Sequence, residues 1–270
     1  MDMRKYNQAM VATYSRRTAS ENSAYVLPHI KPHMRILDVG CGPGSITLDF
    51  ADHVPEGSVV GVDMSESAIE KARESCKQRG TANASFSVAD LNKLPFDDDS
   101  FDVVHAHQVL SHLSGQNGDP GPVWGLKEMR RVCKPGGLVC AREAEWSTVV
   151  IYPRIHGVNE TMTLLAKLGD HAGKCIAGGR GREFARRAGF RPDAITASAV
   201  AVTYTNTADC EWAGNNMASR LESSTDLAKG VELGFVTERE AARMPEAWRE
   251  WAKDEDAFYA MVHGQIVCTK

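Results

Sequence analysis

Ile36-Leu37-Asp38-Val39-Gly40-Cys41-Gly42-Pro43-Gly44 is the stretch on which the fold turns. A β-branched apolar run meets a glycine loop, and a helical segment follows it. Glycines at such a junction let the backbone turn tightly and let a ligand approach it closely. The spacing is G-x-G-x-G; Ser45 and Thr47 follow, so the third glycine of the dinucleotide fingerprint G-x-G-x-x-G is missing. Asp38 stands in the mouth of the turn. A carboxylate there repels a pyrophosphate and attracts an ammonium or a sulfonium.

Outward from this loop the same unit recurs from about residue 34 to 145. Apolar runs at 35–39, 58–62, 84–88, 101–104 and 137–141 alternate with helix-period segments. Several runs are apolar on consecutive positions, as strands covered on both faces are. Ser65 is placed to cap a helix carrying Ile69, Ala72 and Cys76, which Gly80 closes. Leu126, Met129 and Cys133 repeat the pattern ahead of Pro135-Gly136-Gly137. Such βα units predict a parallel sheet with right-handed crossovers. Upstream, Thr18-Ala19-Ser20-Glu21 reads as a capping box. Downstream the rhythm breaks: 146–177 is mixed, 182–188 helical, 195–204 a strand, 208–253 mostly helical and 263–269 a last strand.

The 270 residues fit one large domain with additions, and 43% apolar with 24% charged residues is globular composition. A net charge of −4 argues against a general grip on nucleic acid or on an anionic membrane. No apolar run approaches the ~18 residues of a membrane span. The seven cysteines form no C-x-x-C pair, which reads as reduced thiols in a cytoplasmic protein, and the N-terminal residues show no secretory stretch.

Asp63 and Asp90 are expected at the ends of the second and third strands, so that with Asp38 they converge on one crevice. Asp63 is placed to hold a ribose by paired hydroxyl hydrogen bonds. Asp90 can accept from an adenine amino group while the N–H of Leu91 donates to the ring. Each acid alone also reads as a helix cap; the three in order behind a glycine loop favour a nucleoside that carries cations and no phosphate. S-adenosylmethionine meets that description.

The run 37–44, Val62-Asp63-Met64-Ser65, Ala89-Asp90-Leu91 with Leu94-Pro95-Phe96 and Ser100-Phe101-Asp102, and the segment 128–137 together resemble class I S-adenosylmethionine-dependent methyltransferases of the UbiE-like, type 11 kind. The match covers about 30–145 and thins after Trp146. The resemblance implies an α/β fold: a Rossmann-like, mostly parallel seven-stranded sheet in the order 3-2-1-4-5-7-6, with helices on both faces and a helical cap. It also implies that Asp38 lies near the methionine part, Asp63 holds the ribose, Asp90 and Leu91 bind adenine, and His107 lies beside the methyl-bearing end. Gly40, Cys41, Gly42 and Gly44, Met64 beside Asp63, and Tyr14 and Arg17 from a covering first helix complete the expected cofactor set. Arg16 is expected on a solvated face. The chain then divides into a core at 31–145 and cap segments at 1–30, 146–180 and 206–260 of a single domain.

His105, His107 and His112 invite a metal reading, but no neighbouring carboxylate completes a site, so none is expected. His105 reads as a strand histidine satisfied by hydrogen bonding. His112, beyond the fourth strand, and Glu143, at the end of the fifth with Glu145, are the catalytic candidates. Methyl transfer is an in-line displacement in which alignment supplies much of the acceleration. A thiol or phenol acceptor can ionise without a dedicated base, whereas a carbon or alcohol acceptor usually needs one.

The expected protein is a cytoplasmic methyltransferase, monomeric or homodimeric, acting on a C, O, N or S atom of a small molecule, secondary-metabolite or quinone-like. Neither a membrane nor a nucleic acid is expected as partner. A non-catalytic S-adenosylmethionine-binding regulator is the alternative. An NAD(P)-dependent oxidoreductase is disfavoured by Asp38 and the glycine spacing.

Overall fold

The computed structural model describes residues 8–116, 118–172 and 178–270. Asn117, Cys175 and the outer parts of two expected cap segments, 1–7 and 173–177, lie outside the described residues.

Strand β1 (Arg35–Val39) sets the architecture. Its Ile36 and Leu37 are fully buried on opposite faces, so the strand holds a helical layer on either side. Each such side chain contributes about 1.5–3 kcal/mol on burial. β2 (Ser58–Asp63) and β4 (Phe101–His107) flank it in parallel, Leu37 pairing with Val60 and with Val104. β3 (Ala84–Val88) lies parallel beside β2, and β5 (Cys133–Ala144) beside β4. β8 (Phe258–Thr269) runs antiparallel to β5, and its other edge carries β7 (Ile195–Tyr204).

The expected order 3-2-1-4-5-7-6 is present, with one strand more than the expected seven. The extra strand, β6 (Val150–Tyr152), pairs with Phe258–Ala260 of β8. That stretch of β8 extends past the end of β5, and its backbone groups need partners.

Helices α3 (Ser45–His53), α4 (Glu66–Arg79) and α5 (Gly121–Val132) cover the sheet. Ser65 caps α4, accepting from the Ala68 amide at 3.4 Å, and Gly80 closes it at φ +71°. Cys133, expected on the last helical repeat, instead opens β5 opposite Phe101, with a bulge before Leu138 meets Val103. α7 (Gly181–Arg187) returns to the sheet and buries Phe184 and Ala185 in its core.

The additions pack on each other. α6 (Val158–His171), α8 (Thr207–Ser223), α9 (Asp226–Glu232) and α10 (Glu238–Trp251) surround a separate apolar cluster that includes Leu164, Leu221, Met244, Trp248 and Trp251. α1 (Gln8–Ser15) joins α8 through Asn216, which bonds Thr13 and the Ala9 carbonyl at 2.9 Å each. Arg16 lies on an exposed face, where it pairs with Asp209 at 2.8 Å and lies over the Trp212 ring at 4.2 Å, linking the end of α1 to α8. α2 (Ala19–Asn22), capped by Thr18, then tucks under the sheet. Among the described residues no helix is long and apolar enough to cross a membrane.

Candidate active site

A cleft opens over the carboxyl ends of β1, β2 and β4. Tyr14, Arg17, Asp38, Gly40, Cys41 and Gly42 line it, and so do Asp63, Met64, Asp90, Leu91, His107 and His112.

Two expected site residues lie elsewhere. Gly44 has φ +83°, and a Cβ on it would sit 2.8 Å from the Phe86 ring and 3.0 Å from Ala72. Its glycine serves the close packing of α3 on β3 and α4, not a ligand. Glu143 is buried on the face of β5 opposite Arg142, because strand side chains alternate. Its Oε1 accepts the Val109 and Leu110 amides at 2.8 and 2.7 Å. Burial pushes this carboxyl up, while the Leu110, Ser111 and Val109 contacts pull it down. Glu143 therefore anchors the loop that carries His112. Glu145 likewise binds a backbone amide, that of Gly179, at 2.9 Å.

The acids differ in their partners. Asp63 closes β2, almost fully buried; its Oδ2 accepts the Gly42 amide at 3.0 Å and its Oδ1 the Ser65 amide at 2.9 Å. It thus shapes the glycine loop, where Gly40 turns at φ +66° with no room for a Cβ against Val109. A carboxylate has about four acceptor positions, and these two backbone amides take one on each oxygen. Asp38 is paired within the protein: Oδ1 bonds His105 Nδ1 at 2.8 Å and Oδ2 accepts from Thr47 at 2.5 Å. Register places Asp38 opposite His105, whose Nε2 meets Ser23 at 3.0 Å, so this histidine is satisfied as the sequence predicted. β3 stops at Val88, two residues before its expected end; Asp90 follows in a turn and accepts from both nitrogens of Asn92 at 2.9 Å.

Sequence reasoning missed the opposite wall. Gln108, at φ +56°, accepts from Arg17, whose guanidinium lies 4.5 Å over the Tyr14 ring. The Gln108 amide nitrogen reaches His263 Nδ1 at 3.4 Å, and Arg142 Nε donates to that Nδ1 at 3.3 Å. Arg142, 2% exposed, also donates to the Glu21 carbonyl at 2.8 Å. Burial, then Arg142 and Arg17, push the His263 imidazole down to about 3. His107 is driven well below its usual range by burial and then by Arg17, Arg142, His105 and His263. The available signal was a charged side chain inside an otherwise apolar strand, Leu138-Val139-Cys140-Ala141-Arg142.

The donor set suits S-adenosylmethionine: backbone amides and a buried carboxylate at the glycine loop, half-exposed Met64 as an apolar wall, and acids on the cationic ligand's side. Among the described residues no group of three or more His, Cys, Asp or Glu is arranged to hold a metal ion.

Residues 30–189 match the family model described as a methyltransferase domain. An uncharacterized methyltransferase of Schizosaccharomyces pombe is 34% identical over 264 residues, 96% of this chain and 92% of that one. The demethylmenaquinone methyltransferase of Lactococcus lactis subsp. lactis is 38% identical over 120 residues, covering 44% of this chain and 45% of its own. Among solved structures, phosphoethanolamine N-methyltransferase 2 of Haemonchus contortus, in complex with phosphomonomethylethanolamine and S-adenosylhomocysteine, superposes with a TM-score of 0.56 at 19% identity, over 93% of this chain and 52% of its own. With this fold, this cleft and these relatives, the chain belongs to the methyltransferase domain family and is an S-adenosylmethionine-dependent methyltransferase.

Proposed function

We propose that the enzyme methylates a C, O, N or S atom of a small molecule held between the cofactor and the helical cap. The observation that carries this reading is the polarity of the cleft. Asp38, Asp63 and Asp90 lie on one side, and Arg17 and His107, with buried Arg142 and His263 behind them, on the other. Bound S-adenosylmethionine supplies a methyl carbon activated by its sulfonium.

In this reading Asp63 holds the ribose, and Asp90 with the Leu91 N–H holds the adenine. The Gly40–Gly42 backbone, Tyr14 and Arg17 hold the methionine part, with Cys41 and Met64 lining the groove. Asp38 acts through charge and through His105, since both its oxygens already have partners. His107 faces the methyl end, and His112 orients the acceptor. α1 and the α6, α8, α9 and α10 cluster form the cover that excludes water and aligns the acceptor. Free thiols at all the described cysteines support a cytoplasmic enzyme; monomer and homodimer are both compatible with it.

The test combines calorimetry of S-adenosylmethionine binding with mass spectrometry of products from a varied acceptor panel, using isotopically labelled methyl donor. Labelled product from a small acceptor is expected. Tight binding without transfer to any acceptor would make the protein a regulatory binder instead.

A further inference from the structure

His107 is 6% exposed and lines the cleft, yet neither ring nitrogen has a hydrogen-bond partner. An orphaned buried imidazole is costly unless a ligand completes it. The other histidine of its strand shows the contrast: His105 has both nitrogens satisfied by Asp38 and Ser23.

The charged and titratable groups facing His107 come from each element around it: Arg17 after α1, His105 on its own strand, Arg142 on β5 and His263 on β8. The His263 ring lies 6.5 Å from the His107 ring, centroid to centroid. Asp38 is on this face too, but its carboxylate is taken up by His105 and Thr47. Glu143 is on the far face of the sheet, bonded to the loop after β4. Such a wall disfavours an ammonium group and stabilises an oxyanion.

We infer that the acceptor carries a phenolic or enolic hydroxyl, seated on His107 and ionised there before methyl transfer. The inference rests on the methyltransferase reading and narrows it to oxygen or the conjugated carbon. The acceptor's O–H bond breaks and its proton passes to a neutral His107 nitrogen. The oxyanion, through oxygen or its conjugated carbon, supplies the electron pair for the new bond to the methyl carbon. The C–S pair stays on sulfur as the sulfonium becomes a thioether. With the oxyanion consumed, the surrounding cations return the His107 proton to water, which resets the site. Burial and the neighbouring cations hold His107 neutral between turnovers, so it enters the cycle able to accept a proton; they oppose its keeping that proton, which it holds only beside the oxyanion.

The probe is 4-nitrophenol, titrated by its visible absorbance on the enzyme saturated with S-adenosylhomocysteine. On the wild type its apparent pKa is expected to fall by about one unit or more, the effect of a nearby cation; Arg142→Met should return it toward the solution value. His107→Asn should slow transfer to a phenolic acceptor by about 100-fold near neutrality. That loss should shrink as pH rises through the acceptor's own pKa. Calorimetric affinity for S-adenosylmethionine retained in Arg142→Met, and an unchanged melting temperature for ligand-free His107→Asn, report an intact fold and cofactor site. Absent or unshifted nitrophenol binding with normal cofactor affinity, or labelled methyl found only on amines, overturns the inference and leaves the methyltransferase reading standing. Loss of cofactor binding by the wild type would instead remove that reading.

Discussion

Asp63 joins the glycine loop to the second strand, and replacing it by Asn separates its structural work from its contact with the ligand. One carboxylate oxygen becomes an NH2 facing either the Gly42 or the Ser65 amide, which the native side chain binds at 3.0 and 2.9 Å. Two donors then confront each other in a nearly water-free place, since Asp63 is 3% exposed. A lost charge-assisted bond, worth about 1.5–3 kcal/mol, and an unsatisfied buried N–H together predict a cost of about 2–4 kcal/mol. For a chain of this length that corresponds to a fall in melting temperature of roughly 4–7 °C, measured without ligand. A ribose contact that becomes neutral loses a comparable charge-assisted increment, so affinity for S-adenosylhomocysteine should drop about 10- to 100-fold by calorimetry. Unchanged affinity would refute the ribose assignment. An unchanged melting temperature would refute the role of Asp63 in shaping the loop. The two results are independent, because the melt is taken on the ligand-free protein.

Glu143→Gln keeps an oxygen for the Val109 and Leu110 amides and should retain near-normal stability and turnover, whereas Glu143→Ala should cost about 2–4 kcal/mol in urea unfolding; a stable but inactive Glu143→Gln would return this residue to the chemistry. Thr237 and Glu240 cap α10 reciprocally, at 3.2 Å to the Glu240 amide and 2.7 Å to the Thr237 amide, so Thr237→Ala should lower stability by about 1 kcal/mol, and an unaltered urea midpoint would contradict the cap. His263 binds its proton near pH 6.5 when unfolded and near 3 when folded, so the unfolded state holds the extra proton between those values. Stability should therefore fall as pH drops through that window, by up to about 1.4 kcal/mol per pH unit for this group. His263→Gln should give a shallower slope across urea melts at several pH values, and equal slopes would show that His263 does not contribute.

Periodicity made the sheet legible. Runs such as Arg35–Val39 and Phe101–Val104 are apolar at successive positions only where helices cover both faces, and Ser65 and Gly80 marked helix ends by local chemistry. The cofactor side was legible for the same reason. A glycine loop and acids at strand ends are local motifs, and Asp38, Asp63 and Asp90 reach one cleft because neighbouring parallel strands end together. The positions misread were those whose role depends on a partner far along the chain. Gly44 looked like a ligand glycine until Phe86 and Ala72 were seen against it, and Glu143 looked catalytic until the alternation of β5 turned it to the other face.

Sequence alone determined the fold class, the family resemblance and the cofactor, since these rest on short-range patterns. Tertiary structure alone decided the character of the cleft wall opposite the acids. Arg17, Gln108, Arg142 and His263 come from α1's end, β4's end, β5 and β8, and their contacts span up to 155 positions of sequence. No local pattern brings such residues together; the antiparallel entry of β8 beside β5 does, by setting His263 across from Ala144, one pair along from Glu143 and Gly264.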